Sequence, residues 1–399
     1  MIRAHKIRLD PTNKQKNYFA RAAGCARFAS NWALAEWQRQ YEAGGNPSEA
    51  SLRRDFNAIK AKEWPWIYEV TKCAPQMAIK DLGKAFQNFF AKRAAYPKFK
   101  KKGVHDSFTL SNDHFRIKSK TIHIPHLGLV RLREPLRLSG KPLWATISRE
   151  ADQWYVSISV EQEDVEVVHL SLLSVGVDLG VKNLASLSNG EVIANPNALE
   201  RHLKKLKRLS KALSRKKPAS KNRRKAKQKL SRLHLKIKNV RNDALHKFTT
   251  ELTTKYAYIA MEDLNVSGMI KNTRLARRIS DSSFHEIKRQ IVYKASAKGV
   301  RLGFVPLFFP SSKTCSHCQA VYRELSLSER VWTCKDCGTS HDRDINAAKN
   351  ILDHAVSYTV AGKSRQACGE GSSGAKTRKR SSVKRPSTKQ ESSTTSAYE

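Results

Sequence analysis

The spacing of hydrophobic positions changes several times along the chain, and each change predicts a different element. Ile2 to Leu9 alternate and predict a strand. Pro11-Thr12 follows, and Thr12-x-x-Gln15 spells a capping box. A long helix is predicted from there to about Glu42, where Gly44-Gly45 stops it. Phe19, Ala22, Ala26, Phe28, Ala29, Trp32 and Trp37 recur in it at roughly helical spacing, so both tryptophans read as core. A second helix covers about Glu49 to Lys62 and is broken by Trp64-Pro65-Trp66. A third starts near Pro75, a favoured first-turn residue, and carries Met77, Leu82, Phe86, Phe89 and Phe90.

From Phe108 to Glu161 the period shortens to two. Thr121–Ile124, Leu129–Leu132 and Trp154–Val160 read as strands, separated by turns at Gly128, Gly140-Lys141-Pro142 and Ala151-Asp152. This predicts a small antiparallel barrel or sandwich, paired with the first strand, into which the three helices are inserted. A new unit begins near Leu170. Val175 to Asp178 has the apolar run of a buried strand, and Leu184–Leu187 and Val192–Ala194 flank the hairpin signal Asn189-Gly190. Tyr258–Met261 is a further strand and about Ser283–Lys298 a further helix. After Ala361 the chain is rich in Ser, Lys, Arg and Thr and reads as a disordered tail.

Charge alters this picture most between the two halves of the second unit. No Asp or Glu occurs from Arg201 through Asn242. Lys204, Lys205, Lys207 and Arg208 precede a break at Pro218, and Arg223 and Arg224 follow it. Leucines at 203, 206, 209 and 213, then 230, 233 and 235, give each half an apolar stripe, so the stretch predicts a helical hairpin with one basic face. Such a run repels itself unless phosphates neutralise it. The whole chain of 399 residues carries a formal net charge of +40, which calls for a polyanionic partner. Tyr96-Pro97-Lys98-Phe99-Lys100-Lys101-Lys102 offers a second basic segment, either lying along a nucleic-acid backbone or serving as a linker. No stretch is apolar enough to span a bilayer, and the N-terminus leads into no signal-peptide core, which predicts a cytoplasmic protein with no membrane partner.

A reducing compartment favours metal over disulfide at paired cysteines. Cys315-x2-Cys318 and Cys334-x2-Cys337 can each present two thiolates to one ion, predicting a structural zinc ribbon with no open coordination position. His317 and His341 are not expected as ligands, while Lys313, Arg330, Trp332 and Lys335 suggest that the ribbon touches nucleic acid. Cys25, Cys73 and Cys368 are scattered and read as core or tail residues. Three acids stand at element ends: Asp178 after Val175-Gly176-Val177, Glu262 after Ile259-Ala260-Met261, and Asp344 at a helix start just beyond the ribbon. Three strands, a basic helix, another strand, a helix and a last helix follow the order of an RNase H-type fold, in which acids at these places converge. Converging carboxylates can hold two Mg2+ ions roughly 3.5–4 Å apart, one activating water and the other stabilising the leaving oxygen. Asp263 and Asp342 are neighbouring competitors, Asp342 the weaker because Asp344 directly precedes the helix.

In ordered combination, several segments resemble the TnpB family, which is related to type V CRISPR effectors. They are Gly24-Cys25-Ala26-Arg27-Phe28 with Asn31-Trp32, Tyr96-Pro97-Lys98-Phe99-Lys100, Gly176-Val177-Asp178-Leu179-Gly180-Val181-Lys182-Asn183 and Met261-Glu262-Asp263-Leu264-Asn265-Val266. The two cysteine pairs, Asp342-Arg343-Asp344-Ile345-Asn346-Ala347-Ala348-Lys349-Asn350 and Ala367-Cys368-Gly369-Glu370 complete the set. Met261 stands where the family often has an aromatic residue. The resemblance implies an α+β multidomain protein: a wedge β-barrel (1–10 and 95–168) with an inserted helical recognition domain (11–94), an RNase H-like RuvC nuclease domain (169–310 and 339–362) with an inserted zinc ribbon (311–338), and a basic tail (363–399). It also implies an RNA-guided DNA endonuclease of a transposable element, a monomer on one guide RNA from the element's end, cutting double-stranded DNA beside a short flanking motif. The competing expectations are a non-cleaving RNA-guided repressor and a transposase acting on element ends.

Overall fold

The computed structural model describes residues 1–163, 169–307, 309–326 and 329–360, apart from the side chains of 358–360. The tail expected over 363–399, with Cys368, lies outside the described residues. The architecture is mixed α+β, and among the described residues no helix is long and apolar enough to cross a membrane.

The chain opens with β1 (Ile2–Arg8) and then makes a helical excursion: α1 (Asn13–Glu42), α2 (Glu49–Glu63) and α3 (Cys73–Phe90). The capping box forms, with the Thr12 hydroxyl accepting from Gln15 N and the Gln15 side chain accepting from Thr12 N. The chain then returns as β2 (Ser107–Ser111), β3 (Arg116–Lys118), β4 (Thr121–Ile124), β5 (Gly128–Arg131), β6 (Lys141–Glu150) and β7 (Gln153–Glu161). Two sheets result, one ordered β1-β7-β6-β2 and the other β3-β4-β5, stitched where Leu9 bridges Leu132. β1 runs antiparallel to β7 from Ile2↔Glu161 to Arg8↔Tyr155. Alternating residues turn inward, including Ile7, Phe108, Leu110, Ile122, Val130, Ile147, Val156 and Ile158. Sheets and helices share one core, because Phe19 of α1 packs against Phe108 and Trp154 with ring centroids 6.0 and 5.2 Å away. Cys25 and Cys73 are buried in it. Trp32 and Trp37 pack against it only partly buried, Trp37 stacking on Phe86 at 3.9 Å.

The second unit is one five-stranded sheet. Its elements are β8 (Ser174–Leu179), β9 (Asn183–Leu187), β10 (Val192–Ala194), α4 (Leu203–Ser214), α5 (Lys221–Lys255), β11 (Tyr258–Glu262), α6 (Val266–Met269), α7 (Ala276–Ser282), α8 (Phe284–Lys298) and β12 (Arg301–Val305). The chain ends its described course with β13 (Val331–Thr333), β14 (Ser340–Asp342) and α9 (Arg343–Val360). The sheet order is β10-β9-β8-β11-β12, antiparallel through β10, β9 and β8 and parallel through β8, β11 and β12. β11 is buried on both faces. Ile259 and Met261 face the cluster built with α5 and α8, while Tyr258 and Ala260 face Ile351 and Ala355 of α9. The helical hairpin joins the first unit to the second. Leu206 and Leu209 of α4 pack on Leu233 and Ile237 of α5, and Arg232 and Lys238 of α5 pair with Asp152 and Glu150 of the first unit.

Two features depart from the sequence reading. α5 runs on to Lys255, past the end of the acid-free stretch, because Leu245, Phe248 and Leu252 continue its apolar stripe under the sheet. β12 has no counterpart in the expected order. Its Arg301-Leu302-Gly303-Phe304-Val305 run shows no alternation, and its strand character comes from parallel pairing with β11, 43 positions earlier at Tyr258↔Arg301.

Candidate metal centres and nucleic-acid face

Asp178 is the fifth residue of β8 and Glu262 the last of β11. These strands are parallel neighbours whose register runs to Met261↔Val177, so one step further the two acids stand side by side at the strands' carboxyl ends. That edge is where parallel sheets place ligands. Asp344 arrives from the first turn of α9, which lies directly on β8. The close approach depends on Gly176, since a Cβ there would stand 1.9 Å from the Ala348 carbonyl oxygen.

Electrostatics tie the three acids together. The Asp178 carboxyl is pushed up to about 7 by burial and then by the negative charges of Glu262 and Asp344, against the pull of Arg343 and Arg330. Burial also raises Glu262, opposed by a hydrogen bond from the Ser311 hydroxyl to Oε1 at 2.6 Å. Arg330 donates to Asp344 Oδ1 at 3.2 Å. Crowded carboxylates on three elements form a hard-oxygen donor set suited to a divalent cation such as Mg2+. The two competitors have other partners. Asp342 Oδ1 caps α9, accepting from Asp344 N and Ile345 N at 3.0 Å each. Asp263 is exposed and pairs with Lys288 at 2.5 Å.

The cysteine site is better defined. The Sγ atoms of Cys315, Cys318, Cys334 and Cys337 all lie within 4.8 Å of one another; among the described residues no other His, Cys, Asp or Glu group does this, the three acids included. Cys315 and Cys337 sulfurs are 3.7 Å apart, and those of Cys318 and Cys334 3.5 Å. A tetrahedral ion with metal–sulfur bonds of about 2.3 Å spaces its sulfurs about 3.8 Å apart, so the site fits zinc. Each pair ends in a left-handed residue, Gln319 at φ 64° and Gly338 at φ 71°, which turns the chain back over the sulfurs. His341 is outside the group and contacts the Cys315 sulfur through Nε2 at 3.1 Å.

Several residues of this region have roles the sequence did not reveal. Buried Asn346 accepts from Ser316 N at 2.9 Å and donates to Thr314 O at 2.7 Å. Buried Asn350 donates to Ser311 O and Thr314 O at 2.8 and 2.6 Å. α9 thus grips the loop entering the first cysteine pair. Their one sequence signal is two asparagines four apart on a helix face otherwise made of Ala347, Ala348 and Ile351. Trp332, expected at nucleic acid, is instead buried in the knuckle between Tyr322 and His341, because the small ribbon needs an apolar centre. Arg330 is engaged with Asp344, and Lys313 with Arg323 O at 2.5 Å.

On the basic face, Lys204, Lys205, Lys207, Arg208 and Arg224 are exposed. Arg223 is not equivalent to them: its guanidinium donates to Leu213 O and Lys216 O at 3.1 and 2.9 Å and closes the hairpin. Lys98 and Lys100 lie on a separate segment that is fastened rather than loose. Asn31 accepts from Lys100 N at 2.7 Å and donates to Lys100 O at 3.0 Å.

A family model described as Probable transposase (OrfB_IS605) matches residues 157–273, a Cas12f1-like TNB domain matches 284–351, and a helix-turn-helix domain matches 1–46. A Streptomyces pristinaespiralis protein named "Putative RNA-guided DNA endonuclease" is 35% identical over 382 residues, spanning 92% of this chain and 91% of its own length. The Escherichia coli K12 protein named "Putative RNA-guided DNA endonuclease InsQ" is 36% identical over 387 residues, spanning 92% of this chain and 94% of its own. The chain belongs to the TnpB/IS605 OrfB family. Among solved structures, CasPhi-2 (Cas12j) bound to crRNA aligns with 89% of this chain and 98% of its own, at TM-score 0.46 and 10% identity. In this TnpB-family chain the stretch matched as helix-turn-helix folds as β1 and the uninterrupted 30-residue α1.

Proposed function

We propose that this TnpB-family protein is an RNA-guided, Mg2+-dependent DNA endonuclease of a transposable element, directed to double-stranded DNA by a guide RNA from the element's end. The observation that carries the reading is the convergence of Asp178, Glu262 and Asp344 at the carboxyl edge of the sheet, with Asp178 lifted first by burial and then by the other two charges. Mg2+ bound by Asp178, Glu262 and Asp344 would supply an activated water and stabilise the departing oxygen of a phosphodiester. The protein's own part is to fix three carboxylates on two strands and a helix. Residues 169–310 and 339–362 form the RuvC-like nuclease in this reading, carrying the zinc ribbon at 311–338. Residues 1–10 and 95–168 form the wedge, and 11–94 the recognition helices that read a flanking motif. Lys204, Lys205, Lys207, Arg208, Arg224, Lys98 and Lys100 contact phosphates. One guide RNA per monomer is the expected assembly.

The direct test is Asp178→Ala in the protein purified with its RNA. RNA content stays as in wild type and cleavage of matched DNA is lost, by about 10²-fold or more. Undiminished cutting by the variant contradicts the site. Faithful RNA-guided binding without cutting by the wild-type protein favours the repressor, and excision of element ends by the protein alone favours the transposase.

A further inference from the structure

Glu262 is held by a residue 49 positions away whose only connection to the reaction is geometric. The Ser311 hydroxyl donates to Glu262 Oε1 at 2.6 Å. Ser311 is itself 6% exposed and cannot turn freely. Its amide donates to Phe309 O at 2.8 Å, and its carbonyl accepts from Asn350 at 2.8 Å. Asn350 is 1% exposed and commits its amide group to Ser311 O and Thr314 O, while its own Oδ1 has no hydrogen-bond partner. Asn350 lies on α9, the helix that supplies Asp344. The helix that places the third acid therefore also fixes the residue that aims the second.

We propose that Ser311, locked by Asn350, is the positioning residue for Glu262, setting the carboxylate so that Oε2 faces the cation shared with Asp178 and Asp344. This rests on the nuclease reading of the three acids. A hydrogen bond behind a metal-binding carboxylate fixes its rotamer, and loss of such a partner costs roughly 10–100-fold in metal affinity or activity.

The test uses the full chain with its RNA and Mn2+ as the probe, with free Mn2+ followed by electron paramagnetic resonance. Ser311→Ala weakens Mn2+ binding by about tenfold or more, with zinc content and Tm held at wild-type values. Ser311→Thr, which keeps the hydroxyl, recovers most of the affinity. In a Glu262→Gln background Ser311→Ala has no further effect, whereas a merely structural role persists there. Wild-type affinity in Ser311→Ala, equal loss in the Ala and Thr variants, or an undiminished Ser311→Ala effect in the Glu262→Gln background overturns the positioning role. Unchanged Mn2+ binding in Glu262→Gln alone overturns instead the assignment of the acid site on which it rests.

Discussion

An aspartate carboxyl that ordinarily ionises near 3.8 is held at about 7 at position 178, by burial first and by Glu262 and Asp344 second. The consequence for stability follows from which state holds the proton. Between about pH 4 and pH 7 the unfolded chain has already released it, whereas the folded chain retains it. Stability of the metal-free protein therefore falls across that window and levels off above it. Asp178→Asn removes this liability: in Mg2+-free buffer its Tm matches wild type near pH 4 and exceeds it increasingly up to pH 7, with the gap constant beyond. Added Mg2+ raises the wild-type Tm at pH 8 and leaves the variant's nearly unmoved. Calorimetry at four or five pH values checks this, and parallel curves for the two proteins contradict it. The places of Asp178, Glu262 and Asp344 at two strand ends and a helix start are legible in the sequence because such ends announce themselves locally. Ser311, Asn346 and Asn350 are not, since their roles exist only across contacts 30 to 49 positions apart in sequence.

At the scale of elements, the four-cysteine knuckle and α9 are joined by hydrogen bonds. Thr314 O receives both asparagines, and Thr314 adjoins Cys315. Zinc bound at such a site would contribute about 10–16 kcal/mol of local folding free energy, and the loop it would order carries Ser311, which holds Glu262, and the carbonyls gripped by α9. Cys315→Ser with Cys334→Ser is expected to lose zinc and most cleavage although every acid is intact. Elemental analysis beside cleavage rates tests this, and full activity in zinc-free protein rules the coupling out. The cysteine spacing, the capping box, β1 and the basic hairpin were all readable because each is local or periodic. β12 and the burial of Trp332 were hidden because parallel pairing and the ribbon's interior are decided by distant segments. Arg223 has a second role, hidden for a related reason: sequence records its charge but not that its Nη1 donates to two hairpin carbonyls.

Over the whole molecule a net charge of +40 dominates association with any polyanion. Each phosphate contact to a single-stranded RNA steepens the fall of log K with log salt by about 0.7. Replacing Lys204, Lys205, Lys207 and Arg208 together by alanine is therefore expected to flatten the slope for RNA binding by up to about 3, with little change in Tm because these side chains are exposed. An unchanged slope places the RNA elsewhere. Charge accounts for holding RNA but not for choosing DNA, a choice that falls to the guide. The measurement that reaches it is cleavage by the purified protein with an RNA whose 3′ segment has been rewritten to a chosen sequence. Mg2+-dependent double-strand cutting is expected to move to the DNA matching the new segment and to disappear with Asp178→Ala. Cutting that ignores the rewritten segment, or none at any matched site, contradicts it.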